Sequence, residues 1–152
     1  MTMTPAALRA AYEAHLTAVN AHDVQAIMET FHDDCYVEDL AFGLRVSGKD
    51  AVERYYEQLF HMFRDAKMNV DAWAFGEDVV VTWGTYRVTV PGLFLGTSGT
   101  IGPLEITSGV TIATYADGLL HGERIFLNLG SICDDVGVSI DQVRSAVRAM
   151  MA

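Results

Sequence analysis

Cysteine is scarce. The chain of 152 residues has two, Cys35 and Cys133, in no CxxC pair and in no Cys/His cluster at zinc-ligand spacing. A disulfide scaffold and a structural metal site are therefore not expected, and two reduced thiols in a cytoplasmic protein are. Basic residues are also few: ten Lys and Arg stand against twenty Asp and Glu, a net charge of −10 with no basic stripe to offset it. Such a surface repels phosphate backbones and anionic lipid, which argues against nucleic acid and membrane as partners. Long apolar runs are missing too. Nothing approaches the ~20 residues that cross a bilayer. The opening MTMTPAALRAAYEAH lacks the basic and apolar regions of a signal peptide.

What is present is a globular composition, 51 % hydrophobic and 20 % charged. A chain of this length buries roughly 70 % of its unfolded surface. No repeat, low-complexity tract or linker interrupts it, so one domain is expected over residues 1–152.

Hydrophobic spacing gives helices early and strands later. Thr4 can cap a helix with Pro5 in its first turn, and Leu8, Tyr12, His15, Leu16 and Val19 recur along one face. Asp23 can cap a second, short helix running through Ile27 and Phe31. Cys35 to Leu40 reads as a short strand, followed by a turn at Phe42-Gly43. A third helix opens at residues 47–50 and carries Val52, Tyr55, Tyr56, Leu59, Phe60 and Phe63 on its apolar face. From residue 66 the period becomes two. Strands are expected from Met68, over Val79–Val90, over Leu104–Tyr115 and over Leu119–Leu129, with a loop at Leu93–Pro103 and a hairpin turn at Ala116-Asp117-Gly118. Ser139 caps a last helix, Ile140–Met151. The whole predicts an α+β fold: three N-terminal helices on one face of a curved antiparallel sheet, plus a C-terminal helix.

Facing along the strands gives candidate pocket residues. Met28, Phe60, Phe63, Trp83 and Phe126 are expected to converge on a dry cavity for a flat apolar ligand. Arg124 is in phase with Phe126 and Asn128, so an inward Arg124 is expected, needing a carboxylate or an anionic ligand. Thr82, Thr85 and Thr107 are placed on the outer face of the sheet, which then carries little charge and suits a homodimer.

The stretch Phe31-His-Asp-Asp-Cys-Tyr-Val-Glu-Asp39, followed by Gly48-Lys-Asp-Ala-Val-Glu-Arg-Tyr-Tyr56, resembles the ketosteroid isomerases. These belong to the nuclear transport factor 2-like superfamily, together with the SnoaL-like polyketide cyclases and the limonene-epoxide hydrolases. The resemblance implies a cone-shaped curved sheet that encloses a pocket with the N-terminal helices. It also implies pairing of two copies through the sheet. Asp39 matches the proton-shuttling aspartate of that family, a role suited to a carboxylate in a dry site. The tyrosine that would stabilise an enolate falls on His15, with Tyr12 one turn earlier, and the acid that assists it falls near Thr111. Tyr56 matches a supporting tyrosine reaching toward His15. The aspartate that ends the closing strand of polyketide cyclases is Asn128 here, which can donate a hydrogen bond but cannot shuttle protons.

The function so implied is a cofactor-free isomerase, cyclase or dehydratase for an apolar carbonyl compound. Asp39 is the base, assisted by His15, Tyr56 and Asn128. Tyr12, Met28, Phe60, Trp83, Thr111, Arg124 and Phe126 form the substrate pocket, and no metal is called for. The alternative is a binding or dimerisation module of the same fold. An epoxide hydrolase comes third, since it needs an Asp–Arg–Asp set for which Asp39 and Arg124 are the available members.

Overall fold

In the computed structural model, residues 2–92, 96 and 99–152 are described. Among them are five helices and one six-stranded open sheet. Helix α1 (Pro5–Ala21) starts at Thr4, whose side chain accepts from the N–H of Ala7, and ends at His22 in the left-handed region. Leu8, Tyr12, His15 and Ala18 form its buried face. Helix α2 (Val24–Thr30) is capped by Asp23. It stops one residue before Phe31, which instead opens strand β1 (Phe31–Asp39) and is fully buried. Strand β2 (Leu44–Ser47) folds back on β1, and helix α3 (Lys49–Met62) follows with Val52, Tyr55, Tyr56 and Met62 buried.

Strands β3 (Lys67–Gly76), β4 (Val79–Pro91), β5 (Thr100–Ala116) and β6 (Leu119–Phe126) form the expected meander. The sheet order is β2-β1-β6-β5-β4-β3, antiparallel except where β1 lies parallel to β6. The β5–β6 turn has φ 52 at Asp117 and φ 82 at Gly118, the mirror-image geometry that suits a tight hairpin. Register shifts near Gly84 bend β4 against β3. Gly84 is required there, because a Cβ would stand 1.9 Å from the carbonyl oxygen of Asn69.

Two expectations need correcting at the ends of β5 and β6. Residues 100–103 belong to strand β5, not to a loop; residues 93–95, 97 and 98 of the expected loop lie outside the described residues. Strand β6 ends at Phe126, and the chain then turns into helix α4 (Leu129–Val136), which precedes α5 (Ile140–Met151). Leu129, Ile132, Cys133 and Val136 carry the helical spacing, and Gly137 closes α4 with φ 71.

The helices lie on one face of the sheet, and two apolar clusters fill the space between. One packs α1, α2 and α3 around Leu8, Ile27, Phe31, Val37 and Leu120. The other lies under α4 and α5 and contains Phe42, Phe63, Val88, Ile106, Ile132 and Val147. Cys35 and Cys133 are free thiols, one in each cluster.

Facing differs from expectation on two strands. On β4 the inward set is Val80, Thr82 and Val88, so Thr82 is buried while Trp83 is 43 % exposed. On β6 the inward residues are Glu123 and Ile125, so Phe126 faces out. Trp83, Val110 and Phe126 lie in register across the outer face.

Candidate active site

Alternation along β1 turns Cys35, Val37 and Asp39 to the interior. Asp39 is the last residue of that strand and is 2 % exposed. The hydroxyl of Tyr55, one helix away, donates to Oδ2 at 3.0 Å, and the N–H of Phe42 donates to Oδ1 at 3.4 Å. The carboxyl borders a cavity of about 90 Å³ whose other walls are apolar, among them Leu59, Phe63, Ile106, Ile125, Leu129 and Ile132. Burial disfavours its charged form and pushes its pKa up to about 6, against the downward pull of Tyr55 and of the backbone amides of Phe42 and Ala41; the charge of Glu123 adds a further upward push. A carboxylate with this environment changes charge close to neutrality, where a general base is most useful.

A second buried carboxyl, Glu123, sits on the inner face of β6. Its Oε2 accepts from the Tyr56 hydroxyl at 2.6 Å and its Oε1 from Tyr12 at 3.3 Å. His15 Nε2 stands 3.6 Å from Oε1. The other ring nitrogen, Nδ1, is 2.8 Å from the Thr30 hydroxyl, which spends its own hydrogen on the carbonyl of Ile27. Nδ1 must therefore donate. Burial pushes the Glu123 pKa up, but His15, Tyr56 and Tyr12 outweigh it and hold the carboxyl below its ordinary value. The two acids are thus driven in opposite directions by their surroundings. A smaller cavity of about 40 Å³ borders this group, with Phe60 and Met68 among its walls. Leu59, Tyr86 and Ile125 wall both cavities.

The expected site residues divide accordingly. Asp39 borders the larger cavity, with Tyr55 as its hydroxyl partner where Tyr56 would have been read as the site tyrosine. His15, Tyr12 and Tyr56 come together around Glu123 instead. Phe60 borders the smaller cavity and stacks on His22 at 4.2 Å. Thr111 is buried on the inner face with its hydroxyl turned toward Tyr12 and Tyr86, completing no hydrogen bond. Met28 is half-buried against the first cluster and borders neither cavity.

Trp83, Arg124, Phe126 and Asn128 fall outside the site. The strand parity that turns Glu123 and Ile125 inward turns Arg124 outward, where its Nε meets Glu38 at 2.7 Å. Asn128 is exposed at the start of α4, past the end of the strand. The Asp–Arg–Asp set of an epoxide hydrolase is therefore not assembled. Glu123 supplies a second inward acid, but Arg124 is on the opposite face. Glu123 and Tyr55 are the site residues the sequence reading missed. Tyr55 was available as the neighbour of Tyr56 on the apolar face of α3; Glu123 carried no signal, since a strand glutamate is ordinarily exposed. Among the described residues no group of three His, Cys, Asp or Glu could hold a metal ion, and no helix is long and apolar enough to cross a membrane.

This arrangement, a buried acid bordering an apolar cavity between the helices and an open six-stranded sheet, can be set beside known proteins. The profile of the SnoaL-like domain matches residues 12–121, most of the chain. The chain belongs to the SnoaL-like family. Solved structures of the same fold include a candidate SnoaL-like polyketide cyclase from Shewanella denitrificans, with 18 % identity, a TM-score of 0.78, and coverage of 88 % of this SnoaL-like chain and 98 % of the other. A protein of ketosteroid isomerase-like fold from Catenulispora acidiphila, solved with trimethylamine, has 16 % identity and a TM-score of 0.74 over 91 % and 98 % of the two chains. A candidate hydroxylase from Streptomyces galilaeus has 20 % identity and a TM-score of 0.67 over 88 % and 87 %. No curated protein sequence matches at a significant level. Identities this low establish the fold and not the reaction.

Proposed function

We propose that this SnoaL-like protein is an acid–base enzyme that needs no cofactor and acts on a small apolar carbonyl compound, with Asp39 as the general base. One observation carries the reading: among the described residues Asp39 is the one carboxyl bordering the apolar cavity of about 90 Å³, and its proton affinity is raised toward the neutral range. As a carboxylate it takes a proton from the carbon next to the carbonyl, giving an enolate. Returning the proton at another carbon shifts a double bond. Attack of the enolate on a second carbonyl closes a ring, the new alkoxide taking the proton back from Asp39, and expulsion of a β-hydroxyl together with that proton releases water and completes a dehydration. Tyr55 orients the carboxyl. Tyr86, in the wall of the same cavity and kept protonated by burial, is the hydroxyl available to the enolate oxygen.

The test needs no knowledge of the natural substrate. Exchange of the α-protons of a flat ketone such as 2-tetralone, followed by NMR in deuterium oxide, reports the base directly. Wild type should accelerate exchange, and Asp39→Asn should lose about 10²–10⁴-fold of it. Equal exchange by the two proteins over a panel of apolar ketones sinks the proposal and leaves a binding module of the same fold.

The outer face of the sheet is proposed as a homodimer contact. The row Trp83, Val110 and Phe126 is flanked by the paired row Val81 and Ile112, giving an apolar strip with charge only at its Arg124–Glu38 end.

A further inference from the structure

The turn after Asp39 is held from the far end of the chain. The N–H of Phe42 donates to Asp39 Oδ1 at 3.4 Å. The carbonyl of the same peptide unit, that of Ala41, accepts from Arg144 Nε on α5 at 2.9 Å. One rigid amide plane therefore has the aspartate on one edge and a guanidinium on the other. The two bonds reinforce each other, because a cation at the carbonyl polarises the peptide and strengthens its N–H as a donor. Phe42 is buried, so solvent is a poor substitute for its bond to Asp39, whereas Ala41 and the half-buried Arg144 line an outer groove of about 350 Å³. The next turn of α5 seats against the same loop. Gly43 has φ +67, and a Cβ there would stand 2.9 Å from Nη2 of Arg148.

The same helices close the cavity. Leu129 and Ile132 of α4 and Val143 of α5 form part of its wall. At about 90 Å³ the space is smaller than the ~150 Å³ that holds a benzene ring, so a bicyclic ketone requires a wall to move. The α4–α5 wall joins the sheet through helix packing and these polar ties, whereas the other walls are strands within the hydrogen-bonded ladder, helix α3 and the connecting residues Phe42, Phe63, Ala66 and Leu127.

We propose that Arg144 is a positioning residue for Asp39: by holding the Ala41–Phe42 peptide it keeps one of the base's two backbone donors in place, and it makes the readiness of the base depend on α5 being seated. This rests on the reading of Asp39 as the base. The other ionisable groups that face Asp39 are Tyr55 from α3, Tyr86 from β4 and Glu123 from β6. None of them is a cation, and Arg144 reaches Asp39 only through the Ala41–Phe42 peptide.

The experiment is a ligand-free titration of the Asp39 side-chain carbon by NMR in wild type, Arg144→Met, Arg144→Lys and, as a control, Arg9→Met, which removes an exposed pair with Glu13 on α1. Arg144→Met should raise the Asp39 midpoint by about half a pH unit or more, roughly threefold tighter proton binding. Arg144→Lys should restore most of the difference, and Arg9→Met should leave the midpoint in place. An unchanged midpoint in a folded Arg144→Met variant overturns the proposal. If that variant does not fold, wild type still decides: the amide nitrogen of Phe42 must titrate with the Asp39 midpoint, and a flat response overturns the proposal equally. A wild-type midpoint at the ordinary 3.8 counts instead against Asp39 as a poised base, a separate failure.

Discussion

Replacing Asp39 with asparagine should make the protein more stable at neutral pH while disabling it. In the folded chain the carboxyl gives up its proton at about 6, against an ordinary 3.8. Between those two values the folded state holds a proton that the unfolded chain has already released, so stability falls as pH rises through the window and stays lower above it. At about 1.4 kcal/mol per pH unit, the gap amounts to about 3 kcal/mol. Asparagine has nearly the same shape and carries no charge to desolvate. The difference in unfolding free energy between Asp39→Asn and wild type should therefore be near zero below pH 3.8 and should grow to about 3 kcal/mol in favour of the variant above pH 7. Urea unfolding at a series of pH values measures it, and the slopes with denaturant should match if both proteins unfold in one step. A difference that does not change with pH would refute the reasoning, because it would mean that Asp39 is not desolvated in the folded state.

Removing the Tyr55 hydroxyl with Tyr55→Phe takes away a donor to the charged form, so the Asp39 midpoint should rise above 6 by about one pH unit, as read by side-chain carbon NMR. Glu123→Gln should cost about 3–5 kcal/mol of stability at neutral pH, because it unbalances the buried hydrogen bonds from Tyr12 and Tyr56 and the ion-pair contact with His15. The Glu123 contribution has the opposite sign to that of Asp39: it is present above the ordinary carboxyl range and is lost as pH falls through its lowered pKa, so the wild-type loss in acid should be smaller in this variant. Trp83→Glu on the outer face should convert a dimer to a monomer in sedimentation at micromolar concentration while leaving the fold intact; a wild-type monomer refutes the dimer contact.

Four of the helices and the inward direction of Asp39 could be read from the chain, whereas α4 and the facing of two strands could not. Thr4, Pro5 and the spacing of Leu8, Tyr12 and His15 fix α1 because capping and periodicity agree. Asp39 stands at the end of a strand whose alternate residues Cys35 and Val37 are apolar, so its inward direction was available. On β4 both parities are apolar or threonine: Val79, Val81 and Trp83 on one side, Val80 and Thr82 on the other. With no polar alternation to choose between them, the large aromatic was assigned to the core, and a one-residue error exchanges the faces. On β6 an inward Arg124, in phase with Phe126 and Asn128, implies an outward Glu123. Its burial depends on Tyr12, Tyr56 and His15, contributed by α1 and α3, which no local pattern on the strand announces. The Arg144 tie lies equally beyond local reading, since it joins residues 103 positions apart.

The most direct measurement of the central claim is the pH dependence of ketone α-proton exchange in wild type and Asp39→Asn. A base that works as its carboxylate predicts a rate that rises with pH through a midpoint near 6 and then levels off, with that rise absent from the variant. A profile without an inflection near 6, or one that Asp39→Asn reproduces, would contradict the account.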